Sequence, residues 1–218
     1  MKKIFLILGL VLISSIIYSQ ESKIAIGFQV SPAITSIRGI PTIETLDNRF
    51  VISPGITFDY NISRNFSFNS GLAFERKGAK MTYSWFSFSE DELVSQNFKT
   101  NFNYLTMPLM FTYNTNTKVN FFIGGGTFLG YLISQKDITE ATADMLEHLQ
   151  DNTNSFKRLD SGLSLITGVN MPVAPNLILD LGLRNYMGLV KINKYEIVND
   201  GSIKTNSYSL VLGLKYAI

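Results

Sequence analysis

The chain has 218 residues, 45% of them hydrophobic, no cysteine, and 19 Lys+Arg against 17 Asp+Glu for a net charge of +2. The apolar content is too high for a disordered chain, and the missing cysteine excludes a disulfide scaffold, a thiolate metal site, a cysteine nucleophile and a cysteine-linked lipid anchor. The near-zero charge gives no electrostatic footprint for nucleic acid, and the length suits one domain.

Met1-Lys2-Lys3 is a short basic start, followed by an apolar run from Ile4 to Ile13 and then by Ser14, Ser15 and Ser19. This is the layout of a secretory signal peptide. The apolar stretch, ending at Tyr18, falls short of the ~20 residues that a spanning helix needs. The expected division is therefore a signal peptide at 1–19, cleaved after Ser19, and a mature domain at 20–218. Loss of Lys2 and Lys3 would leave that domain formally neutral.

Beyond Gln20 the periodicity is two, the signature of strands. Eight segments alternate. The first, Lys23 to Ser31, sets Ile24, Ile26, Phe28 and Val30 against Ala25, Gly27, Gln29 and Ser31. The second, Val51 to Ile62, sets Ile56, Phe58 and Tyr60 against Gly55, Thr57 and Asp59. The third opposes Phe66, Phe68, Leu72 and Phe74 to Ser67, Asn69, Gly71, Ala73 and Glu75. The fourth, Asn101 to Tyr113, aligns Leu105, Met107, Leu109, Phe111 and Tyr113. The fifth, Val119 to Leu132, carries Phe121, Ile123, Leu129 and Tyr131 on one face, and its alternation is weaker because Phe122 and Phe128 fall on the other. The sixth sets Leu163, Leu165 and Val169 against Asp160, Gly162 and Gly168. The seventh sets Leu177 to Leu183 against Asp180, Gly182 and Arg184. The eighth sets Tyr208 to Ile218 against Ser209, Gly213 and Lys215.

One face is large and apolar, and the other is small, polar and rich in glycine. That arrangement fits a narrow barrel whose bulky residues face lipid. Short connections (Asn61 to Asn65, Asn114 to Lys118, Pro172 to Asn176) alternate with long ones (Pro32 to Asn48, Lys80 to Thr100, Ser134 to Leu159, Val190 to Thr205). This is the asymmetry of an outer-membrane barrel, with short periplasmic turns and long outer loops. Tyr60, Phe66, Tyr113, Phe121 and Tyr216 fall near one rim, and Phe74, Tyr131 and Tyr208 near the other, as two aromatic girdles would.

Several segments resemble the PorT-like outer-membrane barrel family of Bacteroidota. They are Gly55-Ile56-Thr57-Phe58-Asp59-Tyr60, Ser70-Gly71-Leu72-Ala73-Phe74 with Lys77-Gly78, Tyr104-Leu105-Thr106-Met107-Pro108-Leu109, Phe122-Ile123-Gly124-Gly125-Gly126 and Leu212-Gly213-Leu214-Lys215-Tyr216. The chain finishes in Ile218, where the family more often has an aromatic residue. The resemblance spans nearly all of the mature chain. It implies an all-β, eight-stranded antiparallel transmembrane barrel in the outer membrane, from a family whose members mostly lack an assigned activity.

Candidate chemistry is sparse. The single histidine, His148, lies in a long outer loop at Thr139 to Asp151, where Ala141, Met145 and Leu149 predict a short helix. Glu140, Asp144, Glu147 and Asp151 would share its other face, as a solvated surface rather than a calcium site. The same reading covers Glu90, Asp91 and Glu92. Gly124-Gly125-Gly126 lacks the Lys-Ser or Lys-Thr of a phosphate loop. The inward set Asp59, Glu75, Lys77, Asp160, Asp180, Arg184 and Lys215 is the chief constellation. Its members should pair, because unpaired charge in a confined interior is costly, and the forked Arg184 is the expected hub for two carboxylates. In the connection Lys80 to Thr100, Tyr83, Trp85, Phe86 and Phe88 are either a contact surface or the packing of two strands extended past the membrane.

The expectation is a non-enzymatic, monomeric barrel without a cofactor. Its interior would be filled, its surroundings outer-membrane lipid, and its loops open to envelope partners. The alternatives are a small channel and an envelope lipid-modifying enzyme.

Overall fold

The computed structural model describes residues 23–39, 46–87, 92–115, 117, 119–141, 147–195 and 201–218, without the side chains of 85–87 and 92–94. The expected signal peptide lies outside the described residues. Nine strands follow in order: β1 Ile24–Arg38, β2 Arg49–Asn61, β3 Phe66–Ser87, β4 Glu92–Asn114, β5 Asn120–Thr139, β6 His148–Asp151, β7 Leu159–Ala174, β8 Leu177–Gly188 and β9 Lys204–Ala217. Every pairing is antiparallel. β1 pairs with both β2 and β9, and the ring runs on through β3, β4, β5, β7 and β8 back to β9. Eight strands thus close on themselves. β6 stands outside the ring, added to the outer end of β5.

Alternation explains which way each side chain points. Along β1, Ala25, Gln29, Ser31, Ala33 and Thr35 are buried, while Ile26, Phe28, Val30 and Ile34 are exposed. Phe58 and Leu212 are likewise exposed. A soluble sandwich would reverse this, because apolar area left facing water forgoes roughly 25 cal/mol per Å². Most rim aromatics sit outside: Tyr60, Phe66, Tyr113, Phe121, Tyr216, Tyr131 and Tyr208 are exposed, Phe74 is half-buried, and Phe66 meets Tyr113 edge to face at 5.4 Å.

Two expectations need correction. Thr139 and His148 to Asp151 do not lie on a helix. They form the β5–β6 pair, with Thr139 opposite His148 and Lys136 opposite Asp151. Backbone pairing to an existing strand edge overrides the apolar spacing that suggested a helix; residues 142–146 lie outside the described set. Most of Lys80 to Thr100 is not loop either. β3 and β4 stay paired from Phe66–Tyr113 out to Ser87–Glu92, which is the strand-extension alternative for this segment.

The close approach of β3 and β4 depends on one glycine. Gly78 has φ +149°, and a Cβ there would lie 1.9 Å from the Thr100 carbonyl oxygen. Only glycine fits such a position. The outer end of the lumen is closed by an apolar cap: Ile37, Ala79, Phe102, Tyr104, Leu132 and Ile192 are buried together, with Leu46, Phe156 and Ile203 packed against them. Ile192 and Phe156 come from connections, so these segments fold over the mouth.

Candidate functional site

All seven inward charges are in the lumen and buried. They form three groups at successive heights. Nearest the short turns, Lys215 Nζ lies 2.6 Å from an Asp59 oxygen and 2.8 Å from an Asp180 oxygen. Asp59 also accepts a hydrogen bond from Asn69 Nδ2 at 2.8 Å. In the middle, Arg184 Nη2 lies 3.5 Å from Glu75 Oε1. Its guanidinium also donates to Gln29 Oε1 and Ser31 Oγ and stacks 4.6 Å from the Tyr186 ring centre. Toward the outer end, Lys77 Nζ donates to Asp160 at 3.0 Å and to Thr205 Oγ1 at 3.3 Å. Thr205 in turn donates to the same Asp160 oxygen at 2.7 Å.

The hub is therefore Lys215 and not Arg184. Arg184 holds one carboxylate and two neutral oxygens. The reason is height. Asp180 lies two full pleats below Arg184 on β8, opposite Gly213 of β9, where the absent side chain leaves Lys215 room to reach it. Asp59 of β2 comes to the same height across β1.

A further element escapes the charge pattern. Lys77 Nζ lies over the rings of Phe128, Tyr104 and Tyr186, at 4.2, 5.2 and 5.9 Å from their centres. Phe128 and Tyr186 pack at 4.9 Å. The ammonium is thus caged by three ring faces and one carboxylate, an arrangement worth ~2 kcal/mol or more per desolvated contact. The signal for it was the irregular alternation at Phe128, which puts a large ring on the small-residue face.

The space that remains is uneven. A vestibule of ≈ 410 Å³ opens at the short-turn end, lined by Asn61, Asn69, Asn114, Asn170, Asp59 and Lys215. Above it, between the Lys215 and Arg184 groups, is a cavity of ≈ 30 Å³. Thr57 Oγ1, Asn170 Oδ1, Asp180 Oδ1 and Arg184 Nε have no hydrogen-bond partner, and their residues line that cavity. A void of this size and polarity suits one or two ordered waters.

Of the expected loop surface, Tyr83 is exposed near the tip of the β3–β4 hairpin. The backbones of Trp85 and Phe86 are paired there with Val94 and Leu93. Their side chains, and Phe88, lie outside the described residues. His148 is exposed in β6. Among the described residues no three His, Asp or Glu side chains gather as a metal-holding group. Gly124 to Gly126 run through β5 opposite Met110 to Thr112, as strand and not as a phosphate loop.

Residues 18–194 match the family model described as "Outer membrane protein beta-barrel domain". The chain belongs to that family. Membership and the closed ring of strands put this outer membrane barrel in its lipid setting, with bulky residues outward. No curated protein matches the sequence. Solved structures similar to this barrel include Neisserial surface protein A, at 18% identity over 90% of this chain and 98% of that one, TM-score 0.48. Another is OprG from Pseudomonas aeruginosa, at 12% identity over 91% and 98%, TM-score 0.43. A third is AlkL, solved in lipid bilayers, at 11% identity over 91% of each chain, TM-score 0.48.

One ion pair of this outer membrane barrel lies at its outer edge. Lys99 of β4 donates to the Glu140 carboxylate, Asn97 Nδ2 donates to it at 2.8 Å, and the Glu140 N–H donates to the Asn97 carbonyl at 2.9 Å. The Lys99 hydrogen bond, then that from Asn97, holds the Glu140 carboxyl below its usual value. A depressed carboxyl pKa contributes stability above the unfolded value that is lost as pH falls through the folded one. The protection of the Glu140 amide against hydrogen exchange is therefore expected to be full at neutral pH and to fall only below the ordinary glutamate range. In Lys99→Met the fall should begin at higher pH. Identical profiles for the two proteins would remove the role given to Lys99.

Proposed function

We propose that the protein is a non-enzymatic, monomeric barrel: a rigid cylinder that holds the β3–β4 hairpin and the outer connections in place for contacts with envelope molecules. Export by a signal peptide cleaved after Ser19 belongs to the same reading, and N-terminal sequencing of the membrane-extracted protein should start at Gln20. The observation that carries the proposal is the continuous filling of the outer half of the lumen by the caged Lys77 and the apolar cap. A filled interior confers stiffness and leaves no path for solutes.

The test is conductance in planar bilayers. The unsubstituted protein is expected to give no steady channels, and frequent, uniform openings would overturn the plug. The vestibule of ≈ 410 Å³ favours a second reading, a small channel closed at its outer end. On that reading Phe128→Ala, which removes the ring nearest Lys77, converts a silent barrel into a conducting one; on the plug reading it stays silent. A photo-crosslinking probe at exposed Tyr83 in whole cells tests the contact role. Absence of any adduct besides lipid would sink it.

A further inference from the structure

The filled lumen accounts for the buried charges; on the outer surface two cations stand side by side. Arg38 and Lys204 are Cα partners across the β1–β9 pair and continue two outward-facing rows: Ile34, Ser36, Arg38 on one strand and Tyr208, Asn206, Lys204 on the other. Side chains directly opposed in this way lie ~5 Å apart at Cβ. Among the described residues neither cation forms an ion pair. Arg38 Nη2 donates to the Gly188 carbonyl at 2.6 Å, while its Nε is buried without a partner. Two like charges held side by side at a strand end attract an anion.

Below them on the same surface is a polar step. Asn185 Nδ2 donates to Asn206 Oδ1 at 3.2 Å and to the Ser207 carbonyl at 3.0 Å. Below that step is an open apolar groove of ≈ 660 Å³, lined by Ile34, Phe50, Leu165, Leu183, Tyr208 and Leu210. From Ile34 to Arg38 is four residues, or ~14 Å at strand rise. Cations, amides and groove thus follow one another from the outer rim into the membrane, in the order of the parts of a lipid.

We propose that this surface is a binding site for one anionic, phosphate-bearing lipid of the outer leaflet. Its phosphate rests on Arg38 and Lys204, and an acyl chain lies in the groove beneath Tyr208. Basic residues at a membrane surface attract anionic headgroups, and the attraction fades within a Debye length. A neutral lipid would fill the groove and leave the two cations unmatched. The inference uses the barrel's placement in the outer membrane and is independent of whether the lumen conducts.

The test is native mass spectrometry of the purified barrel in neutral detergent, titrated separately with diphosphoryl lipid A, phosphatidylcholine and inorganic phosphate. One lipid A is expected to stay bound, at least tenfold more tightly than phosphatidylcholine, and inorganic phosphate alone is expected not to bind. Arg38→Gln/Lys204→Gln should lower lipid A affinity at least tenfold, and Lys23→Gln, exposed at the opposite, short-turn end of the barrel, should leave it unchanged. Equal retention of the two lipids, binding of inorganic phosphate as tight as that of lipid A, or a double variant that binds as well as the parent, each overturns the proposal. A heat-modifiable gel shift checks that each variant is a closed barrel. Should the double variant lose its shift, Lys204→Gln alone carries the comparison, with a threefold loss expected and no loss overturning the site. A parent protein with the shift but no lipid preference refutes this inference alone, whereas a parent without the shift refutes the barrel.

Discussion

Lys215→Met should cost about 3–5 kcal/mol of stability, the range seen when one partner of a buried ion pair is removed. The side chain is buried and serves two carboxylates, Asp59 at 2.6 Å and Asp180 at 2.8 Å. Removing the cation leaves both acids at the same height of a narrow lumen. Asp59 keeps Asn69 as a donor, while Asp180, whose Oδ1 already has no partner, loses the cation at its Oδ2. The urea midpoint of the heat-modifiable gel shift reads the loss. Lys215→Met/Asp59→Asn/Asp180→Asn removes all three charges together and should regain most of it, because a buried ionic group replaced whole by neutral groups is often close to neutral in energy. A single variant as stable as the parent would show that the acids find another source of compensation.

The second large effect is expected at Lys77. Lys77→Met strips the cation from Asp160 and from the faces of Phe128, Tyr104 and Tyr186. The expected loss is again about 3–5 kcal/mol, moderated by the Thr205 hydroxyl that Asp160 retains. Here the neutral double variant should behave differently. Lys77→Met/Asp160→Asn restores charge balance but not the cation over three rings, so it should recover only part of the loss. A double-mutant cycle separates the two contributions. Full recovery would mean that the rings merely surround Lys77 and add nothing to holding it.

These two sites show how far the alternation of residues reaches and where it stops. A period of two tells which side of the sheet a residue faces, and the buried seven all lie on the side that this parity assigns. Parity carries no height. Which charges meet depends on the register of strands far apart in sequence, such as β2, β8 and β9, and on the tilt that closure imposes. Arg184 was therefore the natural candidate hub on chemistry, yet Lys215 holds that position because Gly213 faces Asp180. The outer segments fail for another reason. Lys80 to Thr100 reads as a long connection, its aromatic residues fitting either a contact surface or extended strands, and Thr139 to Asp151 has apolar residues at helical spacing. In both places an available strand edge decides the backbone. The ring cage was only faintly visible, as the irregularity at Phe128, since an aromatic residue on the wrong parity has no meaning until its neighbours are known.

Lys215 stands on the last strand, while the acids it neutralises stand on β2 and β8, on either side of the β1–β9 seam. Before that seam zips, Asp180 already has Lys215 on the neighbouring strand, whereas Asp59 has no counterion at hand and the half-built sheet carries a stranded negative charge on β2. Closing the seam delivers backbone hydrogen bonds and, to Asp59, the cation in one event. An intermediate left ajar in the bilayer thereby carries a built-in penalty.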